Sequence, residues 1–141
     1  MIYLFLAEGF EEIEALTPVD YLRRAGIEIT TVGVGAKQVC GAHSIPVVAD
    51  IATDELSDMA DFDGVILPGG MPGTVNLEKD AKVMHFVHRA FDENKLLCAI
   101  CAAPSVLGHA QMLVGKKATC FPGFEKFCEG GIFSKEKTSK A

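Results

Sequence analysis

The chain has 141 residues, with 13 Lys plus Arg against 19 Asp plus Glu for a net charge of -6 and a pI near 5.1. Its length suits one domain, residues 1–141, built on one core. The acidic balance disfavours nucleic acid or an anionic membrane as a stable partner and favours a small metabolite or a protein.

Taken in chain order, Ile2 to Ala7 is continuously apolar and is followed at once by Glu8, Glu11, Glu12 and Glu14. It lacks both a basic flank and the length to span a membrane, so it reads as a strand buried on both faces. From about Glu11 to Ala25, Ile13, Leu16, Val19 and Leu22 recur at helical spacing, with a bend allowed at Pro18 and a stop at Gly26. A β-branched run, Ile27 to Val34, is the next strand, and Ile45 to Ala49 is a shorter one. Asp63 to Pro68 is a strand punctuated by Gly69-Gly70-Met71-Pro72-Gly73. A helix of roughly Leu77 to Phe91 follows, with Val83, Phe86, Val87 and Ala90 on one face. After it come a strand from Leu96, a helix from Ala102 to about Leu113 and a strand near Lys117 to Phe121. Continuous apolar strands alternating with helices predict α/β architecture, a three-layer sandwich around a mostly parallel sheet. The loops bearing Glu8, Gly70 and Cys101 then gather at one sheet edge.

Gly130-Gly131-Ile132-Phe133 begins a further strand, but Ser134 to Ala141 is polar and brings no closing element. Such an ending reads either as a naturally short chain with a frayed tail or, the reading adopted here, as a fragment cut in an exposed loop.

Five cysteines, at 40, 98, 101, 120 and 128, form an odd set without an export signal, which points to the cytoplasm and to free thiols. Cys101 stands apart from the others. It lies where Leu96 to Ile100 turns abruptly into a small-residue helix start, and such a corner exposes a side chain above the sheet while aiming amides at it. A tight corner also requires small residues two positions to either side, and these are Ala99 and Ala103. The competing reading is a small buried hydrophobe at a sheet end. Cys98 and Cys101 have the spacing of a redox dithiol, but Cys98 sits inside the apolar run and is expected to point into the sheet packing. The cysteines and histidines make no paired ligand sets, so no metal is expected. His109 lies too far along the helix to serve Cys101, whereas His43, in a Gly-Ala-His-Ser loop, could approach it.

The segments Ala7-Glu8-Gly9-Phe10-Glu11-Glu12-Ile13-Glu14, Leu67-Pro68-Gly69-Gly70-Met71-Pro72-Gly73 and Ala99-Ile100-Cys101-Ala102-Ala103-Pro104, with Pro18-Val19-Asp20 and Arg23-Arg24-Ala25-Gly26, resemble the ThiJ/PfpI family and within it the deglycase-related subgroup. The resemblance runs over essentially the whole chain. It implies a flavodoxin-like sandwich, a homodimer and no cofactor. It also implies a low-pKa nucleophile at Cys101 with Glu14 beside it, and an oxyanion or ligand loop at Gly69 and Gly70 completed by the amide of Ala102. A protonated Glu14 could donate a hydrogen bond to the thiolate, whereas an ionised one would repel it.

Two departures qualify the likeness. Cys120-Phe121-Pro122 stands where several relatives carry a histidine before proline, which disfavours protease chemistry. The family domain also continues further, so a separate C-terminal fragment of the same protein is a candidate partner. The activity implied is that of a glutathione-independent glyoxalase or deglycase, with Cys101 attacking a reactive dicarbonyl or its adduct. The alternative is an oxidative-stress sensor or chaperone-like protein with an oxidisable Cys101.

Overall fold

The computed structural model describes residues 1–133. Its first strand, β1 (Ile2–Leu6), is buried at every position. It leads into α1 (Glu12–Arg24), which Glu11 caps by accepting the Glu14 amide at 2.8 Å. β2 (Ile29–Gly33) follows, then β3 (Gln38–Cys40) and β4 (Pro46–Val48), then the short β5 (Ile51–Ala52). β6 (Gly64–Leu67) precedes α2 (Gly73–Lys79) and α3 (Ala81–Asp92), and β7 (Leu96–Ala99) precedes α4 (Pro104–His109). β8 (Lys117–Ala118) and β9 (Ile132–Phe133) close the described chain.

Five strands form one parallel sheet in the order β5-β2-β1-β6-β7. This is the expected sandwich with a parallel centre, and its sheet order reverses between β1 and β6. Tyr3, Phe5, Val65 and Leu67 pack on one face against Leu77 of α2, Phe86 and Val87 of α3 and Val106 of α4. Leu4, Leu6 and Ile29 pack on the other face against Ala15 and Val19 of α1. Among the described residues no helix is long and apolar enough to cross a membrane.

Several boundaries differ from the sequence reading for identifiable reasons. The helix expected over Leu77 to Phe91 is two, because Asp80 ends α2 and its carboxylate caps α3 by accepting the Val83 amide at 2.9 Å. Val83, Phe86, Val87 and Ala90 are its buried face, as expected. The helix after Cys101 stops at His109 rather than near Leu113, and Gln111 then adopts a left-handed φ of 58°. The strand near Lys117 is only two residues long. The short strand at 46–48 pairs antiparallel with β3, a hairpin the sequence reading did not foresee. β9 pairs in parallel with β8, while the polar run from Ser134 to Ala141 lies outside the described residues.

The inward face of α1 holds the largest departure. Glu12, Ala15 and Val19 are buried, whereas Ile13 is 73% exposed. Glu12 is not a solvated charge at a helix start. Its two oxygens accept the backbone amide and Nδ1 of His43, both at 2.8 Å, and so fasten the loop between β3 and β4 onto α1. A Cβ at Gly41 would sit 2.3 Å from Glu12 Oε1, so glycine is needed there. Burial raises the Glu12 pKa, but the hydrogen bonds from His43 outweigh it and hold the carboxyl below its ordinary 4.5. The hydrogen bond and charge of Glu12 raise His43 above 6.5.

The pair therefore contributes stability above pH 4.5 on the Glu12 side and below pH 6.5 on the His43 side. It loses the first contribution as pH falls through the lowered Glu12 value and the second as pH rises through the raised His43 value. Urea unfolding of the parent and of His43→Ala from pH 4 to 9 tests this. The stability difference is expected to be greatest between those two limits and to shrink towards pH 9; a pH-independent difference would count against the ion pair.

Candidate active site

At the end of β7 the chain leaves the sheet with Ile100 N–H donating to Leu67 O at 3.3 Å. It then turns through Cys101, whose φ is 60°, before Ala103 N–H returns to Ile100 O at 2.9 Å. A left-handed φ on a residue with a Cβ costs about 1–2 kcal/mol. The surroundings enforce it: Ala102 and Ala103 are buried, Pro104 starts α4, and Cys101 O accepts the Phe121 amide at 2.7 Å. The corner expected around Cys101 is present, with Ala99 and Ala103 as its small flanks.

Glu14 lies beside Cys101 in the first turn of α1, close enough for its charge to act on the thiol. The Gly69 amide holds the carboxylate by donating to Glu14 Oε2 at 2.9 Å, while Gly69 O accepts the Glu11 amide at 3.0 Å. A Cβ at Gly69 would lie 2.6 Å from Glu14 Oε2 and 2.7 Å from Cys101 Cβ. This corrects the role expected of Gly69. Its amide is committed to Glu14, so it positions the carboxylate and is not an open oxyanion donor. The amides of Gly70 and Ala102 lie near enough to the Cys101 sulfur to favour its thiolate, and Gly70 is turned to a φ of 93° in a space where a Cβ would meet Glu11 N at 2.4 Å.

Burial raises the Cys101 thiol above its ordinary value, and the charge of Glu14 and its hydrogen bond raise it further, against the opposing pull of the Ala102 and Gly70 amides. Burial and an ionised Glu14 both oppose a thiolate at Cys101, so the low pKa implied by the family likeness requires a neutral carboxyl there. One negative charge shared between sulfur and carboxyl is accommodated; two are not.

The other candidates lie elsewhere. His43 is bound to Glu12, and His109 Nδ1 pairs with Glu78 Oε1 at 2.7 Å. Glu8 Oε1 accepts the Cys40 amide at 3.0 Å. Cys98 is not packed away as expected but lines a groove beside α1, and burial raises its thiol. Cys128 is pushed up to about 12 by burial and by Cys120. Among the described residues, Glu11, Glu12 and His43 are the group whose atoms lie close enough to hold a metal. All three already serve the helix cap or the ion pair. The sequence reading missed the clamping role of Gly69 and the Phe121 amide that anchors Cys101. The first had a signal in the paired glycines after an apolar strand; the second, a backbone contact, had none.

The DJ-1/PfpI family model matches residues 1–138. Protein DJ-1 homolog B of Arabidopsis thaliana is 37% identical over 121 residues, covering 84% of this chain and 27% of that protein. Deglycase PH1704 of Pyrococcus horikoshii is 32% identical over 127 residues, covering 89% of this chain and 75% of that one. The crystal structure of a cysteine-to-alanine mutant of the DJ-1 superfamily protein STM1931 from Salmonella typhimurium superposes with a TM-score of 0.90 at 36% identity. It covers 96% of this chain and 74% of that chain. The chain thus spans about a quarter of the Arabidopsis relative and about three quarters of the other two.

The backbone strain at Cys101 has a direct test. Glycine is ordinarily less stabilising than alanine, yet Cys101→Gly is expected to be more stable than Cys101→Ala by about 1 kcal/mol, since only glycine adopts this φ freely. Denaturant midpoints of the two variants decide it, and the usual order, alanine above glycine, would refute a strained corner.

Proposed function

The chain belongs to the DJ-1/PfpI family, and on that premise we propose that it is a cofactor-independent thiol enzyme of the glyoxalase or deglycase type. Its substrates are reactive dicarbonyls or the early adducts they form. One observation carries the reading: Glu14, the Gly70 amide and the Ala102 amide converge on the sulfur of Cys101. That constellation supplies a nucleophile, a proton acceptor that can return its proton, and two fixed donors for a developing oxyanion. The relative named Deglycase PH1704 supports the substrate class.

The steps balance without a redox partner. The Cys101 thiol proton passes to Glu14 as sulfur attacks the aldehyde carbon of methylglyoxal, and the carbonyl oxygen becomes an oxyanion facing the Gly70 and Ala102 amides. Protonation gives a hemithioacetal. Transfer of its carbon-bound proton to the neighbouring ketone carbon, through Glu14, and of its hydroxyl proton to the former ketone oxygen leaves a thioester of lactate. Water then cleaves the thioester, returning the Cys101 thiol and releasing lactate. An adduct on an amine or nucleobase would enter through the same carbon.

A second reading rests on the same amides. Oxidised to a sulfinate, Cys101 would present anionic oxygens to Gly70 and Ala102, as an oxidative-stress sensor or chaperone-like protein would require. With either reading we propose a cytoplasmic, single-domain protein that works as a homodimer.

Lactate formation from methylglyoxal in glutathione-free buffer tests the enzyme reading. Cys101→Ser is expected to abolish it, and Glu14→Gln to lower kcat by about 10²–10⁴-fold, the usual contribution of general acid–base catalysis. Turnover that survives Cys101→Ser would refute the nucleophile. Absence of turnover, together with peroxide-driven mass gain confined to Cys101, would favour the sensor.

A further inference from the structure

Beyond β8 the chain makes an arc from Cys120 to Cys128, whose two end thiols take no part in the chemistry at Cys101. The Phe121 amide ties the start of the arc to Cys101 O at 2.7 Å, and Gly123, with a φ of 94°, turns it. Three further backbone bonds wind it back: Phe124 N–H donates to Phe121 O at 3.0 Å, Phe127 N–H to Phe124 O at 2.9 Å and Cys128 N–H to Glu125 O at 3.1 Å. The rings of Phe121, Phe124 and Phe127 pack in series along it, with centroids 6.1 and 5.6 Å apart. Its far end rests on α4, where a Cβ at Gly108 would meet Cys128 Cα at 2.4 Å. Cys128 is buried, at 1% exposure, and the partly buried Cys120 packs against the same core cluster.

Small core hydrophobes are the ordinary use of two such thiols. These two, however, lie close enough to act on each other's ionisation. Burial and then Glu125 raise the Cys120 thiol, while the neighbouring Cys128 thiol favours its ionised form. Cys128 is raised by burial and then by Cys120. The pair is thus unequal: Cys120 is the more accessible and the readier to ionise, and Cys128 is the one that keeps its proton. Cys98 and Cys101 feel no such influence from another cysteine.

We propose that Cys120 and Cys128 form a modification site, at which hydrogen peroxide makes a reversible intramolecular disulfide across the arc. The Cys120 sulfur attacks one peroxide oxygen and the O–O bond breaks. Cys120 becomes a sulfenic acid, and the departing hydroxide leaves as water with the former thiol proton. The Cys128 sulfur then attacks the Cys120 sulfur, the S–O bond breaks, and the hydroxyl leaves as a second water with the Cys128 proton. Two thiols and one peroxide give one disulfide and two waters. Folding has already closed the arc, so the bond constrains chiefly the unfolded chain. It also brackets Phe121, and so fastens the segment whose amide holds the Cys101 corner. A bond of this kind in a reducing compartment is transient, as a reversible peroxide-made disulfide is. The proposal stands whether or not Cys101 turns over dicarbonyls.

Peroxide treatment of the folded 141-residue chain, followed by tryptic mapping without reductant, tests it. Lys126 lies between the two cysteines, so trypsin separates them unless a disulfide joins residues 118–126 to residues 127–135. That joined peptide is expected, and dithiothreitol is expected to split it. It should persist in Cys40→Ser and in Cys101→Ser, which shows that neither thiol mediates the exchange. In Cys128→Ala it should be lost, and Cys120 should accumulate as a sulfenic acid trapped by dimedone. In Cys120→Ser the buried Cys128 should stay a thiol. The oxidised parent is also expected to unfold at a higher urea concentration than the reduced one, a difference absent from Cys128→Ala. The proposal is overturned if the folded chain oxidises at Cys101 with no joined peptide, if Cys120 or Cys128 links instead to another cysteine or another chain, or if the joined peptide forms only in denaturant.

Discussion

One residue holds the site together. Gly69 donates to Glu14 and accepts from Glu11, so the loop after β6 is pinned to the first turn of α1 at both ends of a single residue. The absent side chain matters as much as the two hydrogen bonds, because the space a Cβ would need is taken by Glu14 Oε2 and Cys101 Cβ. Strand end, helix start and nucleophile corner thus meet at van der Waals distance around one glycine. Each hydrogen bond is worth about 1 kcal/mol net, but together they fix a carboxylate that would otherwise sample many rotamers. Preorganisation is their main effect.

Electrostatics then limits what the site can do at rest. A buried thiol beside a carboxylate resists ionisation, and the two amides only partly offset that resistance. The same arrangement is favourable once one proton is divided between the pair, because the amides then face a single negative charge. Under the proposed function, reactivity at Cys101 is consequently a property of the pair and not of the cysteine alone. The strained φ at Cys101 adds to this by holding the sulfur where the amides converge, a cost tolerated because Phe121, Ala102 and Ala103 leave the backbone no alternative.

Much of this was legible in the residues. Continuous apolar strands such as Ile2 to Leu6 announced a parallel sheet, and the change from Leu96–Ile100 to Ala102-Ala103-Pro104 announced the corner. The family likeness then supplied Glu14, which no spacing rule would have chosen from among four nearby glutamates. Less legible was what long-range contacts decide. Glu12 looks like an ordinary helix-start charge until the β3–β4 loop folds back and brings His43 to it. Asp80 looks like any polar residue in a helical run, yet its carboxylate ends one helix and starts the next. Ile13 has the spacing of a core residue, but the sheet strip it faces has no covering layer among the described residues.

That bare strip also bears on the chemistry. In a parallel sheet both faces need cover, since each strand is apolar on both sides, and here one quadrant beside the reactive pair has only α1 at its border. Glu14 spans the boundary: its carboxylate is clamped inwardly by Gly69, while its stem borders the groove. Water in the groove screens the Glu14 charge, and apolar cover there would strengthen its field at the sulfur. The cover over β6 and β7 is therefore part of what sets the local dielectric in which Glu14 acts on Cys101.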